Sequence, residues 1–194
     1  MTAIQAPAFP QNPSASDVSL TSGEAVYGRN IGSNVVTLQT GTMALSYFTA
    51  QRTENAAFVT TLTNSTAANL LTYAAVGVYS VDSAGNLTKI TDTGDLHATL
   101  WIATFSQYVS ALSPAFTKQA GQRYAIGLLA VGTTPPNLPG AGNNSSNLLI
   151  APPVAIGEVT GQSALPASVA TGSITHGAVY FNLIQAILSL TSTP

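Results

Sequence analysis

The sequence predicts an all-β protein: an antiparallel β-sandwich, jelly-roll-like, behind an extended N-terminal arm. Three observations predict it. From Val35 onward, short runs rich in Val, Ile, Thr, Leu, Tyr and Phe recur, each closed by Gly, Pro, Asn, Asp or Ser, which is the pattern of strands joined by turns. Helical spacing of apolar residues is confined to two short places. The chain has 194 residues, 45% of them hydrophobic. A chain of that length can fold as one domain and bury roughly 70% of its unfolded surface.

Residues 1–34 read as the arm. Pro7, Pro10 and Pro13 block helix and favour extended or polyproline geometry. Ile4, Phe9, Val18 and Leu20 are isolated apolar anchors with no periodic face. The body, residues 35–182, opens with a strand at Val35–Leu38 ended by Gly41, followed by strands at Met43–Phe48 and Phe58–Thr63, the latter bounded by Asn64-Ser65-Thr66. Ala67–Leu71 has the composition of a single helical turn. Tyr73–Val81 alternates, with Val76, Val78 and Ser80 on one face and Tyr73, Ala75, Gly77, Tyr79 and Val81 on the other. Asp82-Ser83-Ala84-Gly85-Asn86 is a hairpin loop in which Gly85 or Asn86 takes positive φ, and Leu87–Thr91 is the return strand. Ala98–Phe105, Gln107–Leu112 and Arg123–Val131 are further strands. The last of these is almost wholly apolar and is expected at the centre of a sheet. Residues 133–147 (TTPPNLPGAGNNSSN) read as a loop too polar for the core. Val154–Val159 and Ala167–Ile174 read as two short strands separated by Pro166. Residues 183–194 are set apart as a C-terminal tail. There Leu183, Ile184, Ile187 and Leu188 have helical spacing, with strand as the rival reading for Val179–Leu183.

Charge is the most unusual property. Only 6% of residues are Asp, Glu, Lys or Arg, against about 25% in an ordinary soluble domain. From Tyr124 to Pro194 the one ionised side chain is Glu158. Surface charge keeps free proteins apart, and a protein held permanently against other subunits does not need it. The pI is near 5.4. The five basic residues, Arg29, Arg52, Lys89, Lys118 and Arg123, are scattered, so no nucleic-acid partner is expected. Mean hydropathy is +0.29, yet no apolar run reaches the ~18 residues of a spanning helix. The best run, Val179–Leu190, is broken by Asn182, Gln185 and Ser189, so no membrane partner is expected. There is no cysteine, hence no disulfide framework and no thiolate metal site. The first residues lack the basic and apolar regions of a signal peptide. The sequons at Asn64, Asn86 and Asn144 are therefore read as chance matches in a chain rich in Asn, Ser and Thr.

The inventory for catalysis is thin. The histidines are His97 and His176, and no G-x-S-x-G is present. Asp95 or Asp92 with His97 could supply two parts of a Ser–His–Asp site, but Asp92-Thr93-Gly94-Asp95 reads better as a turn with His97 opening the next strand. Asp82, Asp92 and Asp95 could approach one another and hold calcium through oxygen, although no D-x-D-x-D-G loop exists. Two isolated histidines without cysteine are a poor zinc set. Trp101, Phe105 and Tyr108 could offer a sugar-stacking platform. As a strand, 100–105 would place Trp101, Ala103 and Phe105 on one face, which is more commonly core. No catalytic, cofactor-binding or metal-binding residue is therefore assigned, and the protein is expected not to be an enzyme.

Three segments carry a resemblance: Ala50-Gln51-Arg52-Thr53-Glu54, Val78 to Thr88 (VYSVDSAGNLT) and Ala120 to Gly127 (AGQRYAIG), with Leu165-Pro166-Ala167-Ser168 as a late fourth. In order and spacing they resemble a β-sandwich module found in virion proteins, on heads and in tails, of tailed bacteriophages infecting actinobacteria. The resemblance covers roughly residues 42–182, and its motifs are structural. It implies a non-enzymatic virion protein on the outer surface of the particle. A head decoration or minor capsid protein is expected, in contact with the major capsid protein and with copies of itself as a homo-oligomer, a trimer being one arrangement. The alternative is a minor tail or receptor-binding protein that recognises host cell-surface glycan.

Overall fold

The computed structural model describes residues 24–25, 34–141, 156–175, 183–184 and 186–189. Most of the arm, the end of the 133–147 stretch, His176 and most of Val179–Leu183 lie outside the described residues.

The fold is all-β. Its strands are β1 (Glu24–Ala25), β2 (Asn34–Thr37), β3 (Met43–Thr49), β4 (Glu54–Leu62), β5 (Asn69–Val81), β6 (Leu87–Asp92), β7 (Gln107–Lys118), β8 (Arg123–Thr134), β9 (Asn137–Ala141), β10 (Ile156–Val159), β11 (Ser168–Val169), β12 (Leu183–Ile184) and β13 (Ala186–Ser189). A ten-stranded antiparallel sheet runs β1-β13-β4-β7-β6-β5-β8-β3-β10, with β11 attached to β6. A three-stranded sheet, β12-β9-β2, lies beside it. The large sheet is joined across β6 and β7 through one residue pair, Asp92 with Ser113. There it curls, and β4 and β7 close over β3, β5 and β8 as a half-barrel.

Side-chain alternation shows why the sheet curls. In β8, Tyr124, Ile126, Leu128 and Ala130 enter one core, while Ala125 and Leu129 enter a second core on the opposite face. In β5, Ala74, Val76 and Val78 join the first core, and Ala75, Tyr79 and Val81 the second. The first core lies inside the curl, where Ala56 and Val59 of β4 and Leu112 and Phe116 of β7 meet these strands. The second core is closed by the segment after β10, through Leu165, Val169 and Ile174. β8 pairs with β5 on one side and β3 on the other. Both faces of its apolar run are covered, as its composition predicts.

Four local expectations are corrected. Ala98–Phe105 is not a strand but a series of turns, because Trp101 and Phe105 adopt positive φ, 63° and 49°, which a strand does not allow. Residues 133–147 are not wholly loop. Asn137–Ala141 pairs with β2, and Leu138 is fully buried in the first core, which outweighs the poor strand propensity of Pro139 and Gly140. Ala67–Leu71 makes no helical turn, since β5 begins at Asn69. The helical spacing near the C-terminus is not used: β12 pairs with β9, and β13 pairs with β4, Leu188 opposite Val59. Short apolar runs fit either period, and here ladder bonds to β4 and β9 decide.

Candidate functional site

The four resembling segments converge on one end of the sheet. The Asp82 carboxylate accepts from the Ala84 N–H at 2.9 Å and the Asn86 N–H at 2.8 Å through Oδ1, and from Asn86 Nδ2 at 2.9 Å through Oδ2. These bonds, the Asn86 side chain foremost, hold its pKa below the usual carboxylate range. Gly85, with φ of 85°, supplies the left-handed residue of the loop. Asn86 Oδ1 accepts from the Thr171 N–H at 3.0 Å. Gln122 Nε2 donates to the Val81 carbonyl at 3.3 Å, and the Gly121 N–H donates to the Ala50 carbonyl at 2.8 Å. Thr53 Oγ1 accepts from the Ala120 N–H at 3.0 Å. The Leu165–Ser168 segment is fastened by Tyr79, whose hydroxyl donates to the Pro166 carbonyl at 3.1 Å, and by Lys89, whose N–H donates to the Ala167 carbonyl at 2.8 Å. The motifs therefore act as mutual supports of the fold.

The same end gathers charge. Lys118 is fully buried, and its Nζ lies 2.7 Å from Glu54 Oε1, with Arg52 3.8 Å from the other carboxylate oxygen. Arg123 lies over the Tyr47 ring at 4.9 Å. Burial pushes the Tyr47 hydroxyl up to about 12 despite the opposing effect of that guanidinium.

The residues weighed for catalysis and metal binding are placed as follows. Asp95 and His97 do meet, Oδ2 to Nδ1 at 2.9 Å. Asp95 Oδ1 accepts from the Ala74 and His97 N–H groups, both at 3.1 Å. Partial burial would raise the Asp95 pKa, but these hydrogen bonds outweigh it and the net shift is downward. Among the described residues no hydroxyl hydrogen-bonds the His97 ring. The pair braces the connection after β6, but His97 does not open the next strand: residues 97–101 are turns, and β7 begins at Gln107. Asp82, Asp92 and Asp95 are not brought together. Asp92 is engaged by Lys89 Nζ at 2.7 Å and by the Gly94 N–H at 2.8 Å. No group of three metal-ligating side chains occurs among the described residues.

The aromatic trio is split. Trp101 is fully buried, and its indole N–H donates to Thr61 Oγ1 at 2.9 Å. The Tyr108 hydroxyl accepts from the Ala103 N–H at 2.6 Å. Phe105 points outward, 76% exposed. It does not share a face with Trp101, because the backbone reverses between them.

The opposite end of the sheet is different in kind. There the loops around 62–70, 99–106 and 132–138 are tied together: the Ala68 N–H donates to the Trp101 carbonyl at 2.7 Å, the Phe105 N–H to Asn64 at 3.0 Å and the Asn64 N–H to Asn137 at 2.7 Å. None of these stretches contains Asp, Glu, Lys or Arg, although the connection that leads into 99–106 carries the Asp95–His97 pair at its start. Four large apolar side chains are exposed among the described residues, Val35, Leu70, Ile102 and Phe105, and the last three lie at this end. Leu70, Trp101 and Phe105 are also the non-glycine residues with positive φ, at 51°, 63° and 49°. For a bulky side chain that geometry costs roughly 1–2 kcal/mol. Burial of the indole offsets it at Trp101, but no comparable burial offsets it at Leu70 or Phe105. Gly132 faces this corner, and a Cβ there would overlap the Leu70 carbonyl. The available sequence signal is the absence of charge from residues 98–117.

No protein-family model matches the chain. No curated protein matches it either.

Proposed function

We propose that the protein is a non-enzymatic structural protein of a bacteriophage virion: a head decoration or minor capsid protein on the outer surface, held by the major capsid protein and by copies of itself. In this reading the curled sheet is the jelly-roll-like β-sandwich body of the module that the sequence resembles. The observation that carries the proposal is the convergence of the resembling segments. Residues 50–54, 78–88, 120–127 and 165–168 lie far apart in sequence, yet they brace one another through Gln122–Val81, Gly121–Ala50, Thr53–Ala120 and Tyr79–Pro166. Such mutual dependence gives the resemblance a physical reason to recur as a set. The near absence of charge supports permanent contact with other subunits.

The test is quantification of this chain in purified particles against the major capsid protein. A copy number comparable to that of the shell supports head decoration. A handful of copies per particle transfers the protein to the tail. Absence from washed particles defeats the proposal.

A further inference from the structure

We propose that Asn64-Ser65 is a self-modification site, at which the Ser65 main-chain nitrogen displaces ammonia from the Asn64 side-chain amide and water then leaves a carboxylate in its place. The inference goes beyond the assembly reading and stands without it. Asparagine is among the thermolabile residues. The Ser65 N–H donates to Asn64 Oδ1 at 2.7 Å. That oxygen is bonded to Cγ, so the amide carbon sits beside the nitrogen that must reach it, and held proximity favours such a step. Serine is small and unbranched at Cβ, so its side chain does not shield its own nitrogen. Ser65 is exposed, and water and hydroxide reach it. Among the described residues none accepts a hydrogen bond from Asn64 Nδ2, so the leaving group is not held back. The other described asparagines lack this combination. The Asn86 amide donates to Asp82 and accepts from Thr171. That of Asn137 accepts from Thr37 Oγ1 and donates to Thr66 Oγ1. Asn34, Asn69, Asn86 and Asn137 precede Val or Leu, and Asn55 precedes Ala56, which is buried within β4.

Water is the only co-reactant. Hydroxide takes the Ser65 amide proton, the nitrogen forms a bond to Cγ, the Cγ–Nδ2 bond breaks, and Nδ2 leaves as ammonia with its last proton drawn from water. Water then opens the cyclic imide at either carbonyl. Opening at Cγ gives aspartate. Opening at the main-chain carbon gives isoaspartate, whose backbone runs through Cβ and Cγ and is longer by one methylene. The position gives this chemistry a structural consequence. Residues 64–66 are clamped to Asn137 at both ends: the Asn64 N–H donates to the Asn137 carbonyl at 2.7 Å, and the Asn137 N–H donates to the Thr66 carbonyl at 2.9 Å. A methylene inserted between those points breaks the spacing that lets both bonds form. The Phe105 N–H donates to the Asn64 carbonyl at 3.0 Å, and in isoaspartate that carbonyl becomes a free carboxylate outside the main chain. Either product puts a negative charge into residues 62–70, which hold none.

The experiment is incubation of the full chain in mildly acidic and mildly alkaline buffer, folded and in urea, for wild type, Ser65→Val and Asn64→Gln. Peptide mapping by mass spectrometry, with fragmentation that separates aspartate from isoaspartate, gives the rate at each asparagine. Melting temperatures are taken on the aged proteins. In the folded wild type, residue 64 is expected to convert to a mixture of aspartate and isoaspartate, faster in alkali, at a rate no lower than in urea. Asn86 and Asn137, whose amides are held, are expected to convert more slowly folded than in urea. Ser65→Val keeps the asparagine but crowds its neighbour's nitrogen, and conversion should slow by about tenfold. Asn64→Gln keeps an amide but lengthens the ring that must form, and residue 64 should stay unconverted. The wild-type melting temperature should fall as isoaspartate accumulates, and that of aged Asn64→Gln should hold. An Asn64 that stays intact when folded while it converts in urea overturns the proposal. So does a product that is aspartate alone, which bypasses the imide, or a Ser65→Val chain that converts as fast as wild type. Conversion confined to Asn144, which also precedes serine, overturns it as well. Conversion at residue 64 with unchanged melting overturns the loosening of the Asn137 clamp.

Discussion

Gly77 and Gly127 face each other across β5 and β8. Between them they leave the space in which the Tyr79 ring lies. A Cβ on Gly127 would come within 2.9 Å of the Met43 sulfur and 3.0 Å of the Tyr79 ring. The sulfur can move, but the ring is held by its hydroxyl bond to Pro166. Gly127→Ala is therefore expected to destabilise by about 1–3 kcal/mol, as overpacking does; an unchanged denaturation midpoint would show that the ring is not fixed. Glu158 gives a pH signature. Burial raises its pKa above the ordinary carboxylate value. The folded state then holds the proton more tightly than the unfolded chain, so this residue's contribution falls as pH rises from the unfolded value of about 4.3 through the raised folded value. Glu158→Gln should melt higher than wild type at pH 7 and coincide with it near about pH 3.5. A variant that melts lower at pH 7 would refute the assignment.

At the scale of elements, legibility in the sequence followed the number of constraints acting on each run. β8 was legible because both of its faces are buried and nearly every residue is apolar. The Asp82–Asn86 hairpin was legible because turn chemistry is local: one carboxylate organises the loop. Residues 98–105 misled because their apolar alternation suits a strand, while burial of Trp101 against Thr61 imposes a turn that local propensity does not encode. For the same reason the exposure of Leu70, Ile102 and Phe105 is not legible: the absence of charge from residues 98–117 marks the segment, not which of its side chains face outward. The β4–β7 pair carries its own test. Glu54 lies opposite Lys118 in the ladder, and the lysine is fully buried. Glu54→Leu leaves that ammonium without its carboxylate and should cost on the order of 3 kcal/mol. Adding Lys118→Met should recover much of the loss, because a well-packed apolar pair removes the desolvation cost. Additive losses in a double-mutant cycle from urea denaturation would mean that the two residues do not act as a pair.

For the whole molecule, the motif segments and the loops around Trp101 occupy opposite ends of the sheet. The end that holds Arg52, Glu54, Asp82, Lys118 and Arg123 is braced by ion pairs and by the motif segments, and towards the other end Asp92 meets Lys89 and Asp95 meets His97 before the uncharged stretch 98–106. The sheet that joins them depends on its last strand. β13 lies between β1 and β4, with Ala186 to Ser189 in register with Thr61 to Phe58. Its removal would leave β4 as an unpaired edge, and among the described residues the other strand beside β13, β1, is two residues long. Unpaired edges of that length invite pairing between chains. Deletion of residues 183–194 also removes β12 from the edge of β9. Losing ladder bonds on both sheets is expected to cost at least about 3 kcal/mol, beyond the usual range for a surface change. Urea denaturation of the truncated chain should show a lower midpoint, and light scattering should show aggregation where the full chain stays dispersed. An unchanged midpoint and a dispersed chain would mean that β4 is stable as an edge and that the half-barrel closes without its C-terminal strands.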